Sequence, residues 1–162
     1  MKYPIGIQTF SQIREDGYVY VDKTDLIHQL VSRGKIYFFS RPRRFGKSLM
    51  LSTLEAYYEG RKELFEGLAI AGLEKDWLQY PVFHIDFNGD NFAKEGVLED
   101  KIEGFIAQGE RRYGKDPDLL TMGDRFEAVL KHASEKTGRR AVVLEDEYDK
   151  PILDVLDTPM EE

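Results

Sequence analysis

The sequence predicts one α/β domain in which a mostly parallel sheet lies between two helical layers. Three observations carry that reading. The apolar runs Ile36 to Phe39, Val82 to Phe87 and Ala141 to Leu144 have the near-continuous character of strands covered by helices. The segments between them place apolar residues at helical spacing. No internal repeat, low-complexity linker or second compositional regime breaks the chain into separate domains.

Taken in order, Tyr18 to Val21 is a short extended run that ends at Asp22, placed to cap a helix through Leu26, Ile27, Leu30 and Val31, with Gly34 as its stop. This lead-in strand and helix occupy 1–34, and 35–162 is the expected core. Ile36, Tyr37, Phe38 and Phe39 read as a strand buried on both faces. After Lys47 the spacing of Leu49, Leu51, Leu54, Tyr57 and Tyr58 is helical, and Gly60 ends that helix. Shorter helical pieces over Phe65 to Trp77 lead through Pro81 into the second strand, which stops at the turn Asn88-Gly89-Asp90-Asn91. A helix from about Glu95 to Tyr113 carries Leu98, Ile102, Phe105 and Ile106 on one face, and one from Asp124 to Lys136 carries Phe126, Val129 and Leu130. Gly138 closes the latter before the third strand.

Charge narrows the ligand. The 162 residues carry a formal net charge of -7, which argues against a general nucleic-acid binder because affinity for that backbone rests on Lys and Arg. Met1 to Lys62 hold 11 basic and 6 acidic residues and the remainder 12 basic and 24 acidic, so a local basic cluster, Arg41, Arg43, Arg44 and Lys47, sits in an acidic chain. Such a cluster suits a small anion better than a long polyanion. The absence of cysteine excludes disulfides and thiolate metal sites and accords with a reducing cytosol. His28, His84 and His132 show no ligand spacing for zinc. With no signal-like start and no apolar stretch near 18 residues, the expectation is a cytoplasmic protein without a membrane span.

Gly46-Lys47-Ser48 stands between the first apolar run and the following helix, where backbone N–H groups and the positive helix end face an anion. Lys47 is expected to reach terminal phosphates and the Ser48 hydroxyl to ligate magnesium. The nucleotide-contacting set is Arg43, Arg44, Phe45, Gly46, Lys47, Ser48 and Leu49. A strict phosphate-loop motif has glycine where Arg41 stands, followed here by Pro42, so the early loop is expected to follow a different path. Arg43 and Arg44 supply charged donors instead.

The third strand ends in Leu144-Glu145-Asp146-Glu147, the pattern of an apolar strand delivering Asp146 toward Mg2+ and Glu147 toward the attacking water. Glu145 is discordant, because a carboxylate in a buried run costs free energy. Either the strand is exposed on one side or an arginine compensates.

The segments Tyr18-Val-Tyr-Val-Asp-Lys-Thr24, Ser40-Arg-Pro-Arg-Arg-Phe-Gly-Lys-Ser48 and Val143-Leu-Glu-Asp-Glu-Tyr-Asp-Lys-Pro151 resemble the bacterial AAA-ATPase-like family, whose longer members often carry a C-terminal PD-(D/E)XK nuclease-like domain. The resemblance implies a P-loop NTPase-like three-layer α/β/α fold, ATP and Mg2+ as ligands, Lys47, Ser48 and Asp146 as their contacts, and Glu147 as hydrolytic base. Family members look aliphatic at position 145 and share the Arg-Pro-Arg-Arg loop. The resemblance also implies strand order 5-1-4-3-2 and a further sensor strand and lid past Glu162. The sheet is therefore expected to be incomplete, with open edges that pair with a missing C-terminal segment or with another copy.

ATP binding with weak or no hydrolysis by this chain alone is the leading expectation. A nucleotide-binding or assembly module without turnover, and a nonfunctional fragment of a longer ATPase, stand as alternatives. Nuclease activity is not expected.

Overall fold

The computed structural model describes residues 1–40, 42 and 44–156. The chain divides into two compact units, Met1–Gln79 and Tyr80–Glu162.

The first unit is helical. It holds α1 (Phe10–Glu15), α2 (Thr24–Arg33), α3 (Lys47–Tyr58), a 3-10 turn at Lys62–Phe65 and α4 (Ala69–Leu73). Its core forms around Phe10, which is fully buried and meets the rings of Tyr20 and Phe65 at centroid distances of 5.0 and 4.8 Å. Trp77 closes over Phe65 at 5.0 Å. Ser52 fastens α3 to the start of α1, its hydroxyl accepting from Phe10 N at 2.9 Å.

Asp22, expected as the cap of α2, stands one residue before the N-cap Lys23 and ties two helices together. One carboxylate oxygen accepts from the backbone N and the hydroxyl of Thr24 at 2.8 and 2.7 Å, and the other from Ala69 N at the head of α4 at 2.7 Å. Burial pushes its carboxyl up, but the hydrogen bonds from Thr24 and Ala69 outweigh burial and hold it below the ordinary value. The run before it, Tyr18 to Val21, is not a strand.

The expected strand at Ile36 to Phe39 does not form. Ile36 is 94% and Phe38 72% exposed, the reverse of a strand covered on both faces. A strand exists only where a ladder partner satisfies its backbone, and the two strands of the described residues pair with each other. Instead Tyr37 folds back and donates its hydroxyl to Leu30 O at 2.5 Å. Gly34 makes room for this, since a Cβ there would lie 2.6 Å from the Tyr37 oxygen.

The second unit is α/β. Strands β1 (Val82–Asp86) and β2 (Val142–Asp146) are parallel, joined through α5 (Val97–Tyr113) and α6 (Met122–Thr137), and followed by α7 (Lys150–Leu156). Among the described residues the expected mostly parallel sheet is thus two-stranded, with Val82 opposite Val142 and Asp86 opposite Asp146. Phe83, Val129 and Ala133 form the core, with Phe105, Tyr113, Leu130 and Ala141 against it. Gly109 lets α5 approach, because a Cβ there would lie 2.5 Å from Val129 Cγ1. Gly138, in the left-handed conformation, closes α6 as its position in the sequence indicates.

Arg125 on α6 ties α5 down. It bonds both carboxylate oxygens of Glu103 at 2.7 Å and both of Glu110 at 2.8 and 2.9 Å. These bonds hold both carboxyls below their ordinary value and push the guanidinium up.

In β2 burial alternates: Leu144 and Asp146 are buried while Val143 and Glu145 are exposed. This resolves the discordance of Glu145, whose side chain is exposed and needs no compensating arginine.

Candidate functional site

The glycine-lysine-serine segment starts α3. Gly46 is the helix N-cap with φ 75° and ψ 28°, and Arg44 is also left-handed at φ 67°. Left-handed residues in a tight loop turn successive N–H groups to one side, the concavity that receives anions. An arginine in this conformation is held there at a cost on the order of 1 kcal/mol, a form of strain that concentrates at functional loops. Among the described residues no side chain caps α3, and its first turn has no acidic residue. The amino end therefore keeps its positive field. Lys47, Ser48 and Leu49 are half-buried, whereas Arg44, Phe45 and Gly46 are exposed. Arg41 and Arg43 lie outside the described residues, so the expected detour of the early loop around Arg41 does too. The helical spacing after Lys47 is confirmed over Lys47–Tyr58.

The acidic end of β2 belongs to the second unit. Asp146 is 5% exposed, and its carboxylate accepts from Glu147 N at 3.0 Å. Glu147 is left-handed, φ 51°, so the chain turns sharply directly after the strand. Its carbonyl accepts from Lys150 N at 2.9 Å, starting α7. That helix is tied by Asp154, which accepts from Lys150 Nζ at 2.5 Å and from Phe92 N at 3.1 Å.

The structure adds a residue that sequence reading passed over. Asp86 ends β1 opposite Asp146 and is exposed, its carboxylate accepting from Asn88 N at 2.8 Å. The signal was present, since both strands end in aspartate, but only the register makes them partners. Among the described residues no cluster of three or more His, Cys, Asp or Glu could hold a metal ion alone, and no helix is long and apolar enough to cross a membrane.

A parallel strand pair crossing over through helices, and a helix opening on Gly-Lys-Ser, define an α/β protein of the strand-and-helix class. Comparison with known sequences makes this specific: the chain belongs to the family described as Predicted AAA-ATPase, whose model matches residues 4–162. It is similar to the "Uncharacterized protein in vnfD 5'region" of Azotobacter chroococcum mcd 1, with 46% identity over 160 residues, 98% of this chain. The chain spans 31% of that relative's length. No solved structure matches.

Proposed function

We propose that the chain binds ATP together with Mg2+ and is part of the nucleotide-binding domain of an ATPase. The observation that carries this reading is the start of α3, where left-handed Gly46 opens a helix that, among the described residues, has neither a side-chain cap nor an acid in its first turn and begins with Lys47 and Ser48. Oriented N–H groups, the helix field and an ammonium together are what a polyphosphate requires. Membership of a family described as an AAA-ATPase supports the same ligand.

In this reading Lys47 neutralises the terminal phosphates, and Arg43, Arg44, Phe45, Gly46 and Leu49 complete the phosphate-side contacts. The donor set suits magnesium, which takes one or two protein oxygens and completes its shell with phosphate and water rather than with an all-protein cage. Ser48 and Asp146 are those oxygens. Asp146 is a nine-tenths buried carboxylate, and a buried charge gains most from a cation. When bound, the ion would neutralise charge on the phosphates. Glu147, directly after Asp146, acts as the base that takes a proton from the attacking water. Both compact units belong to one domain here, with 1–34 as lead-in and 35–162 as core. The exposed apolar run at Ile36 to Phe38 and the two-stranded sheet support further pairing, by the longer polypeptide or by a second copy.

The test is affinity for a fluorescent ATP analogue with and without Mg2+, followed by phosphate release. Lys47→Ala is expected to weaken binding about tenfold or more, and Asp146→Asn to weaken it only when Mg2+ is present. Unchanged affinity in Lys47→Ala would overturn the assignment of the loop. Glu147→Gln is expected to leave binding intact while removing whatever hydrolysis is measured; unaltered hydrolysis would remove Glu147 from its role.

A further inference from the structure

Glu145 stands where an aliphatic residue is expected, and nucleotide binding makes no use of it. Its setting supplies a use. The second unit contains a half-open pocket of about 230 Å³ whose walls include Ile85 of β1, Phe105 of α5, Phe126 of α6 and Val143 of β2, with Glu145 the one charged side chain on them. Register explains the company: Ile85 is opposite Glu145 and Phe83 opposite Val143, so these side chains share one sheet face. Among the described residues Glu145 forms no ion pair. Nor is it needed as a helix cap, since Thr121 Oγ1 already accepts from Asp124 N at the head of α6.

We infer that this cavity is a binding site for a small organic cation, one aromatic ring or branched alkyl group bearing an ammonium or guanidinium. Size sets the body of the ligand. A cavity of roughly 150 Å³ lined by Leu, Ile and Phe holds benzene, so this one takes a ring and a short linker. Charge sets its head. A cationic head gains an exposed ion pair with Glu145 that a neutral ligand lacks, and an anion is repelled both by Glu145 and by a chain that carries 24 acidic against 12 basic residues after Lys62. The site shares no residue with the proposed nucleotide contacts, so the two readings stand or fall separately.

The test is binding to the full chain at low salt, followed by NMR titration, of phenethylammonium, its neutral isostere phenethyl alcohol and 3-phenylpropionate. The ammonium is expected to bind about fivefold tighter than the alcohol, the size of an exposed ion pair, and the carboxylate not at all. Glu145→Gln should abolish the difference between ammonium and alcohol while both still bind. Val143→Phe, at a partly exposed wall position, should abolish binding of both while the melting temperature is kept. Equal binding of ammonium and alcohol to the native chain, a preference that survives Glu145→Gln, or no binding at millimolar concentration would each overturn the inference.

Discussion

Asp86 and Asp146 end neighbouring parallel strands in register, so two carboxylates leave the same face of the sheet at its carboxyl edge. That edge is where open α/β sheets hold their ligands. Adjacent strands are about 4.8 Å apart, and like charges placed directly across a ladder repel.

Relief of this repulsion is measurable. Asp86→Asn keeps an oxygen that can accept from Asn88 N and removes one charge. We expect it to stabilise the metal-free protein by about 0.5 kcal/mol, seen as a higher urea midpoint with unchanged slope. A lower midpoint would show that the pair is not repulsive.

Gly109 should not tolerate even a methyl group. Alanine is the better helix former by about 1 kcal/mol, yet its Cβ would meet the stiff Val129 side chain at 2.5 Å and the Phe83 ring at 3.3 Å. Overpacking of a core costs about 1–3 kcal/mol. Gly109→Ala is therefore expected to be less stable than the native chain by about 1 kcal/mol in denaturant unfolding, whereas Gly104→Ala, which meets nothing within 4 Å, should be more stable.

The Arg125 cluster predicts how stability depends on pH. Glu103 and Glu110 titrate below their ordinary 4.5 in the folded chain because Arg125 bonds them. A depressed folded value means that their contribution is complete above about 4.5 and is lost as pH falls through the folded values. Arg125→Gln should lower stability at pH 7 and flatten the acid limb of the stability curve below pH 4.5. An acid limb with the native slope would show that other carboxyls control it.

Gly46 tests the loop through backbone strain alone. Among the described residues a Cβ there meets nothing within 4 Å, but φ is +75°, so backbone strain is expected to dominate the effect of Gly46→Val. A β-branched residue in this conformation costs about 1–2 kcal/mol, and release of the strain would shift the start of α3. A lower melting temperature together with weaker nucleotide binding is expected; full affinity would show that the loop geometry is not used.

Much of this was legible in the residues. The strands at Val82 and Val142 and the helices α3, α5 and α6 follow from apolar spacing and from the glycines that end them. Helices α1 and α7, of six and seven residues, are too short for a period to show. Among the candidate site residues, Gly46, Lys47, Ser48, Asp146 and Glu147 are proposed from residue type and order. Asp86 was not, since no local pattern tells one strand which residue of another it will face.

The amino-acid order by itself determined which segments coil into helices, where the glycine-lysine-serine helix begins and which strand ends in acids, because these depend on contacts within a few residues. Tertiary structure alone decided that Ile36 to Phe39 is not a strand, that Arg44 and Glu147 take left-handed backbone, and that Glu145 stays exposed beside Val143. The reason is common to all three. A strand's ladder, a strained dihedral and the buried side of a sheet are each supplied by residues far away in the chain.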